Sequence, residues 1–313
     1  MASEARGLVD ELEANIAKVV LGKSEVIRLC LVAFLAGEHV LLEDVPGVGK
    51  TLLGKALARS VDGKITRIQF TPDLLPSDIV GSSVYDAKSG EFRFSAGPIF
   101  ANVVLADEIN RTTPRTQSAL LEAMSDRQVS MDGVTHPLPR PFMVIATQNP
   151  FEFEGTYPLP ESQLDRFLLR ASIGYPSRAD EIQVLASHRG GEPVDDLRPV
   201  LARERVLDLQ QSVRDVVVDQ SIHEYLIDVI DKTRHCDELH VGASTRAALS
   251  LSRACQALAV LEDRDFVVPD DVKYLAVPVL SHRVIPRGHM QGGPRGAVER
   301  IIARLVAETP APS

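Results

Sequence analysis

The chain lacks an excess of basic residues: 34 Lys and Arg face 43 Asp and Glu, for a net charge of −9. A protein whose main task is gripping nucleic-acid phosphates needs a basic surface, so this balance argues against that class while leaving room for a local basic pore. Long apolar runs are missing as well. None reaches the roughly 18–20 residues that would span a bilayer. The opening segment, MASEARGLVDELEANI, carries acids where a secretory signal would carry an apolar core. Together these absences point to the cytoplasm. Cysteine is scarce, and Cys30, Cys236 and Cys255 show no metal-ligand spacing. They read as reduced, mostly buried thiols. One segment, His235-Cys236-Asp237-Glu238-Leu239-His240, holds ligand-type side chains, but it matches no zinc template and reads as a polar turn before a helix. Repeats and low-complexity segments are also absent.

What remains is a chain of 313 residues, 44% hydrophobic, with a mean hydropathy near zero. That is enough for a large core and two domains. Apolar residues at three- and four-residue spacing predict helices over 8–20 and 24–36. Buried strands are expected at 39–42 and 142–147, further strands at 64–70 and 167–173, and an apolar strand ending in two acids at 101–108. Between them lie a Gly- and Ser-containing insertion, with a hairpin expected in it, and a second hairpin over Gln128–His136 built on an Asp-Gly turn. Strands and helices alternate up to about residue 175, which implies an α/β fold with a parallel sheet. Beyond Tyr175-Pro176-Ser177 the pattern is helical: 178–188, 203–215, 221–233, 244–262, a start at Pro269, and 295–307. Gly190-Gly191-Glu192-Pro193 reads as a linker.

The chemistry concentrates at strand ends. Asp44-Val45-Pro46-Gly47-Val48-Gly49-Lys50-Thr51 separates an apolar strand from a helix beginning Leu52-Leu53. This is the phosphate-binding loop arrangement. Gly47 and Gly49 let backbone N–H groups turn inward around an anion, and the helix N-terminus adds partial positive charge. Lys50 is placed to reach the β- and γ-phosphates and Thr51 to hold Mg²⁺. The generic pattern has Gly where this chain has Asp44. Read alone, the loop has a plainer alternative, a glycine-rich strand–helix turn. The run Ala101–Ala106 ends in Asp107 and Glu108 some fifty residues later. Asp107 would support Mg²⁺, and Glu108 would orient and deprotonate the attacking water. Asn149, after another apolar strand, is expected to face the same sheet edge. Arg166 precedes the last strand, where an arginine can meet developing phosphate charge; the plain alternatives are a pair with Asp165 or a solvated side chain. Arg246 falls in the first turn of a helix capped by Ser244, where a cation is unfavourable, so an anionic partner is expected.

In order, DVPGVGKT, VVLADE, INRTTPRTQSALLEAM, ATQNP, LPESQLDRF and GASTRA resemble the MoxR family of AAA+ ATPases, over about Val19 to Arg283. The resemblance implies an AAA+ αβα core with a five-stranded parallel sheet over 1–176, and an α-helical lid over 177–313. It implies an insertion at helix 2 (71–98) and a hairpin at 128–137 before the first sensor. By the same resemblance, Val20, Leu21 and Gly22 lie on the adenine side, and Pro46 to Leu52, Val48 included, hold ATP with Mg²⁺. Asn149 matches sensor 1, Arg166 the arginine finger, and Arg246 sensor 2. Arg111 and Arg115 fall in the segment near the subunit interface. The family also implies a ring, a hexamer as a rule, with ATP between core, lid and neighbour. Expected partners are a client and a von Willebrand factor A domain protein that aids cofactor or metal insertion. Three alternatives stand beside remodelling: a motor subunit of a chelatase-like complex, a nucleic-acid motor, and a regulator without turnover. The hairpin's acidic Asp132 and its lack of Lys or Arg disfavour the nucleic-acid motor. The set Lys50, Asp107, Glu108, Asn149 and Arg166 disfavours the regulator.

Overall fold

The computed structural model describes residues 2–45, 47–149, 155–187, 191–288 and 293–312. Pro46, Pro150 and Gly190 therefore lie outside the described residues. The chain begins with α1 (Ala2–Ala17), α2 (Ser24–Ala36), β1 (Val40–Glu43), α3 (Lys50–Ser60) and β2 (Ile65–Gln69). The insertion follows: α4 (Pro76–Val80) and a hairpin of β3 (Gly81–Asp86) with β4 (Glu91–Ala96). Then come β5 (Val103–Asp107), α5 (Pro114–Asp126), a second hairpin of β6 (Gln128–Met131) with β7 (Val134–Pro137), β8 (Met143–Gln148), α6 (Glu161–Leu164) and β9 (Leu169–Ala171). The remainder is α7 (Arg178–Ser187), α8 (Arg203–Asp215), α9 (Gln220–Arg234), β10 (Leu239–Val241), α10 (Thr245–Leu261), α11 (Pro269–Leu280), β11 (Ile285–Pro286) and α12 (Gly293–Ala307).

The main sheet has five strands in the order β2-β5-β8-β1-β9, and its pairings are parallel. Its central strands are apolar up to their polar carboxyl ends because both faces are covered. Alternate residues go to opposite cores. Val40, Leu42, Val103, Leu105, Met143 and Ile145 face α1, α2 and α3, whereas Leu41, Val104, Ala106, Val144 and Ala146 face α5. The first of these cores continues without a break into α8 to α12, so the helical second half is welded to the α2 side of the sheet. Helix α7 buries none of its residues. Just beyond the segment read as a linker, Arg59 of α3 donates to the carbonyls of Val194 and Asp195 at 3.1 and 2.8 Å and pairs with the Asp195 carboxylate at 2.6 Å. The segment read as a polar turn ends instead in strand β10, which pairs antiparallel with β11. No described helix is long and apolar enough to cross a membrane.

The two hairpins are joined. The Phe94 ring stacks on His136 with centroids 4.0 Å apart, and the Ser83 hydroxyl donates to Asp132 at the tip of the second hairpin. Tyr85 and Phe92 pair on the outer side of the first and stay 56% and 73% exposed.

His39, just before β1, is buried with both ring nitrogens in use. Val144 N–H donates to Nδ1 at 3.0 Å, so Nε2, 3.2 Å from the Met124 carbonyl, carries the proton and the ring is neutral. Burial is the largest cause that pushes its pKa below the ordinary 6.5; Glu38 and the Met124 carbonyl oppose it, and Arg127 adds to it. Because the folded value lies below the unfolded one, the unfolded chain takes the proton first on acidification. Stability present above pH 6.5 should therefore be lost below it, by up to about 1.4 kcal/mol per pH unit from this residue. Melting temperatures at pH 7.5 and 5.5 check this. The drop should shrink in His39→Gln, and an equal drop in both proteins would discount the histidine.

Candidate functional site

Strand β1 delivers the chain to a loop that turns at Gly47 (φ 85°) and Gly49 (φ 94°), both in the left-handed region that favours glycine. Gly49 immediately precedes Lys50, the first residue of α3. Lys50 is buried, and its ammonium donates to the Asp44 carbonyl at 3.1 Å. Burial lowers its pKa, against the opposing pull of Asp107, Asp44 and Glu108. The loop, Thr51, Leu52, Asp107 and Glu108 line one cavity of about 550 Å³. Val19, Val20 and Leu21 form its apolar wall, and Pro176 and Val184 approach from the side of α7. Gly22 is not among the described residues lining the cavity; it packs behind that wall, where a Cβ would come 2.1 Å from Asp180 Oδ2.

Asp44 has a place that sequence reasoning did not assign. Its buried carboxylate oxygen Oδ2 accepts from Ile173 N (2.5 Å), Gly174 N (2.8 Å) and Ser172 Oγ (2.9 Å). These residues join β9 to α7. The aspartate thus fastens the phosphate loop to the start of the helical half.

Strand β5 brings Asp107 and Glu108 to the cavity. Asp107 Oδ1 accepts from Thr147 Oγ1 at 2.6 Å, and the same oxygen of Thr147 accepts from Glu108 N at 2.9 Å. Glu108 sits at φ 57°, ψ 49°, a left-handed conformation that non-glycine residues adopt at a cost of about 1–2 kcal/mol. Its Oε2 accepts from Gln69 Nε2 at 2.9 Å and from Arg111 Nη1 at 3.0 Å. Arg67, two residues before Gln69 on edge strand β2, reaches Asp107 Oδ2 from Nη2 (2.6 Å) and Nε (3.1 Å). Neither Arg67 nor Gln69 was visible beforehand, because alternating polar residues on a strand read as a solvated face.

Asn149 follows β8 directly and is half-buried; it is not among the described residues lining the cavity. Arg166 and Arg246 are not there either. Both line another cavity, of about 400 Å³, with Arg127, Arg253 and Arg283 against Glu38 and Asp165. Among the described residues, the two cavities share no wall residue. Arg166 donates to the Leu121 carbonyl at 2.6 Å and to the Ser125 hydroxyl. Asp165 turns away from it to Arg283 (2.9 Å) and Arg246 (3.5 Å), so the anionic partner expected for Arg246 is a carboxylate here. Arg283 is buried and also donates to the carbonyls of Asp165 and Phe167, fixing the backbone on both sides of Arg166. Ser244 caps α10 as expected, accepting from Ala247 N. Arg115 is exposed on the first turn of α5. No group of three His, Cys, Asp or Glu among the described residues is placed to hold a metal ion.

Residues 39–169 match the ATPase family associated with various cellular activities (AAA), and residues 231–304 match an AAA lid domain. The chain is 50% identical to the uncharacterized protein YeaC of Bacillus subtilis over 96% of this chain and 94% of that one. It is 41% identical to chaperone MoxR1 of Mycobacterium tuberculosis over 90% of this chain and 78% of that one. The crystal structure of a candidate ATPase from Cytophaga hutchinsonii superposes with a TM-score of 0.90 at 36% identity, covering 100% of this chain and 97% of the other. With the phosphate loop and the strand-end acids on one sheet edge and a helical lid behind them, the chain belongs to the MoxR family of AAA+ ATPases.

Proposed function

We propose that this protein hydrolyses ATP at the interfaces of a ring, a hexamer by family resemblance, and uses the cycle to remodel or mature client proteins. ATP would lie in the cavity around Lys50, with the base against Val20, Leu21 and Gly22. Thr51 and Asp107 supply hard oxygen donors beside Lys50, a donor set that suits Mg²⁺; the cation would neutralise phosphate charge when bound. Glu108 would take the proton of the attacking water. The residues 1–176 would act as the catalytic core and 177–313 as the lid.

One observation carries the ring. Arg166 and Arg246 sit together in a cavity separate from the one holding Lys50 and Glu108. Their charges serve a phosphate if a second copy presents its own nucleotide cavity to them, a heterologous contact that closes into a ring. The joined hairpins, with Tyr85 and Phe92 exposed, would carry the resulting movement to a client. A von Willebrand factor A domain partner and a cytoplasmic setting complete the reading. The absence of Lys or Arg from the 128–137 hairpin supports a protein client over nucleic acid. The test is ATPase rate per subunit against protein concentration, with light scattering for mass. A rate that climbs as a large species forms is expected. A constant rate from a monomer would remove the ring.

A further inference from the structure

Asp107 is the carboxylate that a divalent cation would use, yet one of its two oxygens, Oδ2, is fully taken in this structure and the other already accepts one hydrogen bond. Thr147 donates to Oδ1, and Arg67 places two N–H groups on Oδ2, at 2.6 and 3.1 Å. A two-pronged guanidinium on a single oxygen fills the lone-pair region that a cation, or its bound water, would need. Arginine cannot solve the conflict by losing its proton, since it stays charged at any ordinary pH. For a cation to take Oδ2 the arginine must move, and it has room to do so. Strand β2 is at the sheet edge, and the Arg67 side chain is 53% exposed. Gln69 Oε1 accepts from the same Nη2 at 2.9 Å, steadying the guanidinium over Asp107.

We propose that Arg67 sets the divalent-cation requirement of this site, by occupying Asp107 until a cation displaces it. This rests on the nucleotide reading above. With no cation present, Arg67 screens a carboxylate that would otherwise repel the phosphates. With a cation present, the same arginine is a competitor. Removing it therefore acts in opposite directions on the two forms of ATP. Metal-free ATP should bind more weakly, because Asp107 is left bare. Cation-dependent binding should need less free cation, because nothing has to be displaced.

The full chain, Arg67→Gln and Arg67→Lys are compared by titration with a fluorescent ATP analogue, in excess chelator and in Mg²⁺. Free Mn²⁺ is followed in parallel by electron paramagnetic resonance at fixed ATP. For an ion pair whose arginine is half exposed, changes of roughly two- to fivefold are expected. In Arg67→Gln, the half-saturating Mn²⁺ concentration should fall by that factor, and the ratio of metal-free to Mg²⁺ dissociation constants should rise. Arg67→Lys, with its charge kept and its fork lost, should fall between. An unchanged ratio overturns the inference. Equal weakening in both conditions also overturns it, since Arg67 would then be a plain phosphate contact. If the unaltered chain binds the analogue under neither condition, the nucleotide reading itself fails, and this inference with it.

Discussion

Arg166→Ala is expected to lower ATP turnover by roughly 10³-fold or more, the range found where an arginine meets transferring phosphate charge, while ATP affinity changes little. Affinity is expected to hold because Arg166 does not line the cavity around Lys50. Its neighbours explain how it is kept ready. Asp165 would be the nearest carboxylate to trap it, but that side chain is bound to Arg246 and to the buried Arg283. Arg166 is instead steadied by a carbonyl and a hydroxyl of α5, neutral acceptors that an anionic phosphate could outcompete. Mixing Arg166→Ala subunits with Lys50→Ala subunits separates the two roles. Each variant alone should be nearly inactive. Mixed rings should recover a fraction of the rate, at interfaces where an intact Lys50 faces an intact Arg166. If mixed rings form and no rate returns, the arginine acts within its own chain.

Glu108→Gln should leave ATP bound and reduce turnover by about 10²–10⁴-fold, the usual contribution of a positioned base. The amide matches the carboxylate in size and can still accept from Gln69 or Arg111. It cannot take a proton from water. Strain supports the assignment. The left-handed backbone at Glu108 is held by the Thr147 hydroxyl, which also anchors Asp107, so one side chain sets the geometry of both acids. Equal turnover in the variant would show that another group is the base. Loss of binding would mean that Glu108 serves the nucleotide rather than the water.

The sequence made the parts of this fold legible where periodicity and punctuation agree. Continuous apolar runs marked the central strands of the main sheet, and two glycines before Lys50 marked the loop. What stayed hidden depended on neighbours far along the chain. The order β2-β5-β8-β1-β9 is not written in any one segment, and it is this order that sets Arg67 and Gln69 beside Asp107 and Glu108. Arg283 follows α11 with no motif to mark a role, and it is a buried support for residues 165–167. The segment 235–240 was read by its polarity alone. Leu239 inside it is buried and starts a strand whose partner lies more than forty residues away. Arg246 could be placed on its helix turn by spacing, but spacing could not say which cavity it would line.

Asp44 gives the last lesson. Measured against a generic phosphate loop, it looks like an error waiting to be corrected to glycine. In this protein the correction would be a deletion. Glycine has no side-chain oxygen to offer Ile173 N, Gly174 N and Ser172 Oγ, and the buried amide of Ile173 would be stranded at a cost of about 1–3 kcal/mol. Engineering toward consensus would therefore sever a side chain that ties the loop before Lys50 to the segment between β9 and α7. A departure from a motif at this position marks where one carboxylate joins two turns that lie far apart along the chain.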